Sequence, residues 1–130
     1  MKTLLPPGWP RPKGYANGVA ARGRMIFTAG IVGWTADEKF EALDLADQFR
    51  QALANVLSVL AQDGAGPENI VRMTCYVTDI EEYRTSLQAL GAAWRETIGR
   101  HFPAMAVVGV GALVEPAAKI EIEATAMVPE

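Results

Sequence analysis

Cysteine, histidine and clustered basic residues are all scarce in this chain of 130 residues, and each scarcity excludes a class of function. With one cysteine, Cys75, no disulfide can form within the chain. One cysteine and one histidine, His101, are too few ligands for a structural zinc site. The formal net charge is -3, and no run of lysine or arginine supplies the positive surface that a phosphate backbone requires.

Long hydrophobic runs are also missing. No segment approaches the length needed to cross a bilayer, and the apolar residues near the start are interrupted by Pro6 and Pro7. We therefore expect a cytoplasmic protein with no membrane or nucleic-acid partner, no metal site and no cofactor.

The composition that remains is typical of a globular domain, with 50% hydrophobic and 21% charged residues. A length of 130 residues suits one domain better than two. We predict a single domain over residues 1–130. Residues 1–14 are rich in proline and glycine and are expected to form an extended arm that Trp9 anchors to the body.

Hydrophobic periodicity predicts two helices separated by a strand. In residues 42–62 the apolar side chains recur at spacings of three and four, which places them on one face of a helix. Residues 70–77 are strand-like. A second amphipathic helix follows, capped by Thr78 or Asp79, and ends near Gly99.

The segments on either side of these helices are predicted to be strands and turns. Residues 15–30 resemble a hairpin that turns at Arg22-Gly23-Arg24, and residues 31–41 are predicted to be a loop carrying Trp34. Residues 104–113 are apolar on both faces of a strand, and residues 118–128 alternate, with Glu121 on the polar side.

This order of elements predicts an α+β fold in which two helices cover one face of a mixed β-sheet. The opposite face and the strand that is apolar on both sides would then need further cover. Burial between copies of the chain is one way to provide it.

Three segments carry a resemblance to a known family: Thr28-Ala29-Gly30, Phe102-Pro103-Ala104-Met105 and Lys119-Ile120-Glu121-Ile122-Glu123. Together with the element order, they resemble the RidA (YjgF-type) family, also described as L-PSP endoribonuclease-like. The resemblance implies a chorismate-mutase-like sandwich that assembles as a homotrimer. It also implies a small-molecule pocket between subunits and deaminase activity, in which a C=N bond of an imine or enamine is hydrolysed and ammonia is released.

The resemblance also implies roles for individual residues. Glu121 takes the position of a carboxylate that activates or orients the attacking water. The expected substrate-binding residues, with Trp34 added as a nearby aromatic, are Tyr15, Ala29, Gly30, Trp34, Met105 and Val107.

Met105 stands where the family usually has an arginine that binds the substrate carboxylate. A thioether offers no donor, and a carboxylate buried against it would carry a desolvation cost of roughly several kcal/mol. We therefore predict a substrate that is less anionic or more hydrophobic than a small imino acid. The cations that could replace the arginine are Arg22, Arg24, Arg72, Arg100 and His101.

Two alternatives stay open at this point. The chain could be a non-catalytic trimer that binds a small molecule, because Met105, Ala29 and Val107 remove polar groups from the expected pocket. Without the resemblance, the strand pattern alone favours Glu121 as an exposed residue of an edge strand. A nuclease or translation inhibitor is disfavoured by the acidic charge balance.

Overall fold

The computed structural model describes residues 1–130 and contains seven strands and three α-helices. The helices are α1 (Leu45–Ala61), α2 (Ile80–Thr85) and α3 (Leu87–Thr97). The strands are β1 (Lys2–Leu4), β2 (Gly18–Ala20), β3 (Arg24–Phe27), β4 (Ile31–Val32), β5 (Ile70–Val77), β6 (Ala104–Gly109) and β7 (Ile120–Val128).

The main sheet is organised around β7. Strand β5 lies antiparallel to β7 on one side, and β3 and β4 lie antiparallel to it on the other side. Strand β6 is parallel to β5 and forms the far edge. The sheet is therefore mixed, with helices on one face, and the predicted α+β class is confirmed.

Alternation along the strands decides which side chains face the helices. Met73, Cys75 and Val77 of β5 and Ile120 and Ile122 of β7 are fully buried in the core. Successive side chains of a strand point to opposite faces, so the residues between them lie on the helix-free face of the sheet. The apolar stripe of α1 completes this core with Phe49, Ala52, Leu53, Val56 and Leu60.

A buried glutamine joins the start of α1 to the start of β7. The Gln48 side chain is 1% exposed; its amide nitrogen donates to the carbonyls of Ala42 and Ala117, at 3.2 and 2.9 Å. Its amide oxygen accepts from the backbone N–H of Lys119 at 2.7 Å. All the hydrogen-bonding groups of this core side chain are engaged, which fixes where β7 begins relative to the helix.

The predicted hairpin over 15–30 is wrong. Strand β2 pairs with β1 of the N-terminal arm, and β3 pairs with β7 from the other end of the chain. Long-range pairing wins here because Ile26 of β3 reaches the core when the strand lies beside β7. The arm is extended as predicted, but Trp9 is 59% exposed and does not anchor it.

Several boundaries also differ from the sequence-based expectation. The second helix is divided at Ser86 into α2 and α3, and the predicted loop over 31–41 contains β4. Strand β6 ends at Gly109 and is not covered on both faces within the chain, because Ala106 and Val108 are exposed. None of the helices has both the length and the apolar character needed to span a membrane.

Candidate functional site

A cavity of about 670 Å³ lies between β6 and the three helices. It receives side chains from the N-terminal arm, from every helix, from the loop after α3 and from β6. Its lining residues include three of the predicted binding residues, Tyr15, Met105 and Val107. A volume of this size is in the range of pockets that bury small organic ligands.

Backbone pairing brings Tyr15 and β6 together. The N–H of Ala16 donates to the carbonyl of Pro103 at 2.9 Å, and Ala16 bridges to Ala104 in parallel. This contact carries the end of the arm past the start of β6. Met105 and Val107 lie opposite Met73 and Cys75 of β5 and, like them, face the helices.

An aromatic stack forms one wall of the cavity. The Trp94 ring lies between Phe49, with centroids 6.3 Å apart, and Phe102, with centroids 6.4 Å apart. The indole N–H of Trp94 donates to the carbonyl of His101 at 3.1 Å, and a ring nitrogen of His101 lies 2.6 Å from the carbonyl of Ile70. These contacts hold the loop after α3 in place, so the wall is preformed.

The charged side chains that line the cavity are all cations: Lys13, Arg95 and Arg100. All three are exposed, and none takes part in an ion pair within the chain. Arg100 was among the expected replacements for the missing arginine. Lys13 and Arg95 were missed, although the spacing of four from Gly91 to Arg95 on α3 could have placed Arg95 on the cavity side.

The other cations considered from the sequence lie outside this cavity. Arg24 pairs with Asp63, and Arg72 projects from the helix-free side of β5. Arg22 is exposed in the turn before β3. His101 lies in the loop beside the cavity, but its ring is engaged by Ile70.

Burial raises the pKa of two ionisable groups near the cavity. The pKa of the Tyr83 phenol is raised, first by burial and then by the neighbouring Cys75, so Tyr83 lines the cavity as a neutral donor. Burial raises the pKa of Cys75 to about 12. A thiol with that pKa is protonated at neutral pH and behaves as a core residue.

Glu121 lies away from the cavity. Ile120 and Ile122 point into the core, so Glu121 projects from the helix-free face of β7, where it is half-buried and paired in register with Val32. Its carboxylate lies against Gly30: a Cβ at Gly30 would come within 2.6 Å of the Glu121 Cδ. Ala29 is exposed next to Gly30 in the chain.

The structure thus divides the predicted site residues into two groups. Tyr15, Met105 and Val107 line the cavity on the helix face, whereas Gly30 and Glu121 meet on the opposite face. Trp34 is in neither group, since its ring packs on Phe40 with centroids 5.7 Å apart. The strand order places β5 between β6 and β7, and the two groups lie on opposite faces of the sheet. Residues of both groups in one chain therefore cannot contact the same small ligand.

A second acid extends the polar patch around Glu121. The Tyr76 hydroxyl donates to Glu123 at 2.5 Å, and this hydrogen bond is the main cause of the raised pKa of Tyr76. Glu121 raises that pKa further and Arg72 lowers it, so all four groups share the helix-free face. Glu123 is committed to Tyr76, whereas the contact that positions Glu121 is with Gly30.

Known proteins are similar to this chain in both sequence and fold. A family model described as Endoribonuclease L-PSP matches residues 10–128. The 2-iminobutanoate/2-iminopropanoate deaminase of Escherichia coli is 34% identical over 113 residues, which cover 87% of this chain and 86% of that protein. The chain belongs to the RidA/YjgF family.

Solved structures of RidA/YjgF proteins have the same architecture. The Rid family protein YyfB from Yersinia pestis has a TM-score of 0.85 and 32% identity, with 98% of each chain covered. Escherichia coli TdcF, solved with bound serine, has a TM-score of 0.70 and 29% identity, covering 98% of this chain and 99% of that one. The family predicted from three short segments is therefore confirmed.

Proposed function

We propose that this RidA/YjgF protein is an imine or enamine deaminase whose substrate is more hydrophobic than a small imino acid. We propose further that its site is completed between copies in a homotrimer. The observation that carries the proposal is the placement of Glu121 and the cavity on opposite faces of one sheet. A carboxylate and a binding cavity that cannot meet within one chain can meet across a boundary between two chains.

The relatives supply the reaction class. A protein that is 34% identical over most of its length is a 2-iminobutanoate/2-iminopropanoate deaminase. This chain has a carboxylate on its last strand, Glu121, in close contact with Gly30. A carboxylate held in this way is suited to orienting a water molecule and accepting its proton.

The proposed step is hydrolysis of a carbon–nitrogen double bond. Water adds to the imine carbon, Glu121 takes one proton from the water, and that proton passes to the nitrogen. In the resulting carbinolamine the hydroxyl proton passes to the amine, the C–N bond breaks to release ammonia, and the C–O bond becomes the carbonyl of the product. One water is consumed and one ammonia leaves, so no oxidant or reductant is required.

Apolar side chains on the helix-free face support assembly. Met25 and Phe27 flank the core residue Ile26 and are 51% and 65% exposed. Val108 on β6 is 41% exposed on the same face. Covering these side chains with another copy of the chain would remove apolar surface from water on the face that carries Glu121.

Ammonia release tests the proposal directly. Imines generated in place by an amino acid oxidase are offered to the wild type and to Glu121→Gln, which preserves shape and removes the base. We expect Glu121→Gln to lose about 100-fold or more of the activity. The matched control is Glu123→Gln, on the same strand and face. Equal loss in both variants, or no wild-type rate above the uncatalysed one, would contradict the proposal.

Mixing two inactive variants tests whether the site is shared. Gly91 lines the cavity from α3, so Gly91→Trp places a large ring in the cavity and leaves Glu121 intact. If one copy supplies the cavity and another supplies Glu121, a mixture with Glu121→Gln assembles some complete sites. Random assembly of equal amounts predicts about a quarter of the wild-type activity. A site contained within one copy would give no recovery.

A non-catalytic binding protein is the second candidate, and one observation favours it. The cavity contains cations, phenols and apolar groups but no carboxylate or other base of its own. If ligands bind while imines are hydrolysed no faster than in buffer, this candidate replaces the deaminase.

A further inference from the structure

The cavity described above combines a large apolar interior with a rim of one charge. We infer that it selects a ligand with an aromatic or similarly bulky apolar body and a single carboxylate. This ligand preference also names the substrate class of the proposed deaminase, and that part of the inference rests on the proposed function. The binding preference itself rests only on the cavity.

The size and lining of the cavity argue for a bulky body. A volume of about 670 Å³ is much larger than a short-chain imino acid fills. Trp94 and Phe102 stack in parallel along one wall, with an interplanar angle of 8°, and Leu87 adds an apolar surface. Met105 contributes a thioether, which packs favourably against aromatic rings.

The charge of the lining argues for an anion. The whole protein has 15 acidic side chains against 12 basic ones, yet the cavity is lined by three cations and no acid. Lys13, Arg95 and Arg100 come from the arm, from α3 and from the loop after it, so their convergence is a property of the fold. Because they form no ion pair within the chain, their charges are available to a ligand.

The exposed rim and the apolar interior set the orientation of the ligand. Its carboxylate would lie with the arginines at the mouth, and its ring would lie inside against Trp94. In a 2-imino acid the reacting carbon is bonded to the carboxylate carbon, so it too would lie at the mouth. That is the side on which a second copy could present Glu121.

This orientation reverses half of the expectation drawn from Met105. The expectation of a less anionic substrate was based on a single position of β6, where Met105 replaces the arginine. The cations supplied by other segments retain anion recognition, and Met105 enlarges the apolar interior. The expected substrate is therefore a 2-imino acid with an aromatic side chain, hydrolysed to the matching 2-oxo acid and ammonia.

Calorimetric titration of the intact protein with unreactive probes tests the inference. The probes are 3-phenylpropionate, its neutral amide, and propionate. We expect 3-phenylpropionate to bind about 30-fold or more tightly than propionate, because the ring is buried. We expect it to bind about five- to tenfold more tightly than the amide at low salt, with this ratio shrinking as salt is added.

Two variants locate the two parts of the preference. The triple variant Lys13→Gln, Arg95→Gln, Arg100→Gln should bind the acid and the amide equally well. A control that removes the same charge elsewhere, Arg22→Gln, Lys39→Gln, Arg84→Gln, should keep the wild-type ratio. Gly91→Leu should bind both ring-containing probes about tenfold or more weakly than the wild type, because its side chain projects into the interior.

Each contrary result overturns a defined part of the inference. Equal binding of acid and amide by the wild type overturns anion selection, and unchanged binding by Gly91→Leu overturns the location. No binding of either ring-containing probe overturns the inference as a whole. Glu121→Gln should still bind 3-phenylpropionate, so failure of the deaminase proposal is distinguished from failure of this one.

Discussion

The carboxylate of Glu121 lies so close to Gly30 that a Cβ at this glycine would come within 2.7 Å of the Glu121 Oε2. Nothing in the backbone angles of Gly30 demands glycine, since its φ is not in the left-handed region. Glycine is therefore needed at this position because a side chain there would displace the Glu121 carboxylate. This contact links β7 to the segment between β3 and β4.

Gly30→Ala should therefore move the Glu121 carboxylate without unfolding the protein. The atoms displaced belong to the end of a flexible side chain, so we expect a loss of about 1 kcal/mol or less in the free energy of unfolding. Ammonia release should fall about tenfold or more, because a small displacement of a base lowers its efficiency. Rate assays and urea titrations of the same preparation measure both quantities.

Gly33→Ala is the matched contrast. A Cβ at Gly33 would come within 2.3 Å of the carbonyl oxygen of Gln48, which is helix backbone and cannot move independently. We expect this variant to lose about 1–3 kcal/mol of stability, as overpacked positions do. If the two variants were destabilised equally, the special role of Gly30 toward Glu121 would have to be abandoned.

Replacing Gln48 should cost more stability than replacing any other glutamine of the chain. Gln48→Met keeps the volume but removes the partner of two carbonyls and of the Lys119 N–H, which are half-buried or exposed. We expect a loss of about 1–3 kcal/mol in the free energy of unfolding. Gln51→Met, on the same helix but half-buried, should lose about 1 kcal/mol or less. Chemical denaturation at neutral pH compares the two, and similar losses would contradict the prediction.

Alkaline pH should destabilise the protein through Cys75. Its thiol has a pKa of about 12 in the folded protein, against an ordinary value of 9.0, so the folded state holds the proton more tightly. The stability associated with the neutral thiol is complete below pH 9 and declines between pH 9 and 12. In that range the expected slope is about -1.4 kcal/mol per pH unit from this one group.

Cys75→Ala isolates that contribution. The variant should be less stable at neutral pH by about 1 kcal/mol or more, because it leaves a small cavity. Its free energy of unfolding should nevertheless fall less steeply than that of the wild type between pH 9 and 10. Tyr76 and Tyr83 also have raised pKa values, but their ordinary value is 10.0, so their effects lie above the pH range compared. Parallel curves would show that burial of the thiol is not the cause.

Gly91→Leu should stabilise the fold while weakening ligand binding. Gly91 lies inside α3, where leucine has a helix propensity that is more favourable by about 0.5–1 kcal/mol. A Cβ there would approach only the end of the Arg95 side chain, at 3.3 Å. We expect the melting temperature to rise by several degrees. Gly99→Ala should have the opposite effect, because Gly99 has a φ of +85° beyond the helix end.

Much of the fold could be predicted because it depends on local periodicity. The stripe of α1 and the alternation of β5 and β7 each specify which side chains are buried, and β5 was predicted at its observed bounds of 70–77. The hairpin over 15–30 failed because it assumed that neighbouring segments pair. The competing partners, β1 and β7, lie far away in sequence, and only the assembled sheet makes them available.

The sequence by itself determined the family, the α+β class and the identity of the acid on the last strand. Each of these depends on residue types at fixed spacings along the chain. Tertiary structure alone decided that Glu121 and the cavity lie on opposite faces, and that Lys13, Arg95 and Arg100 line one cavity. The physical reason is that strand order and the path of the arm set these distances, and a linear pattern does not encode which distant segments become neighbours.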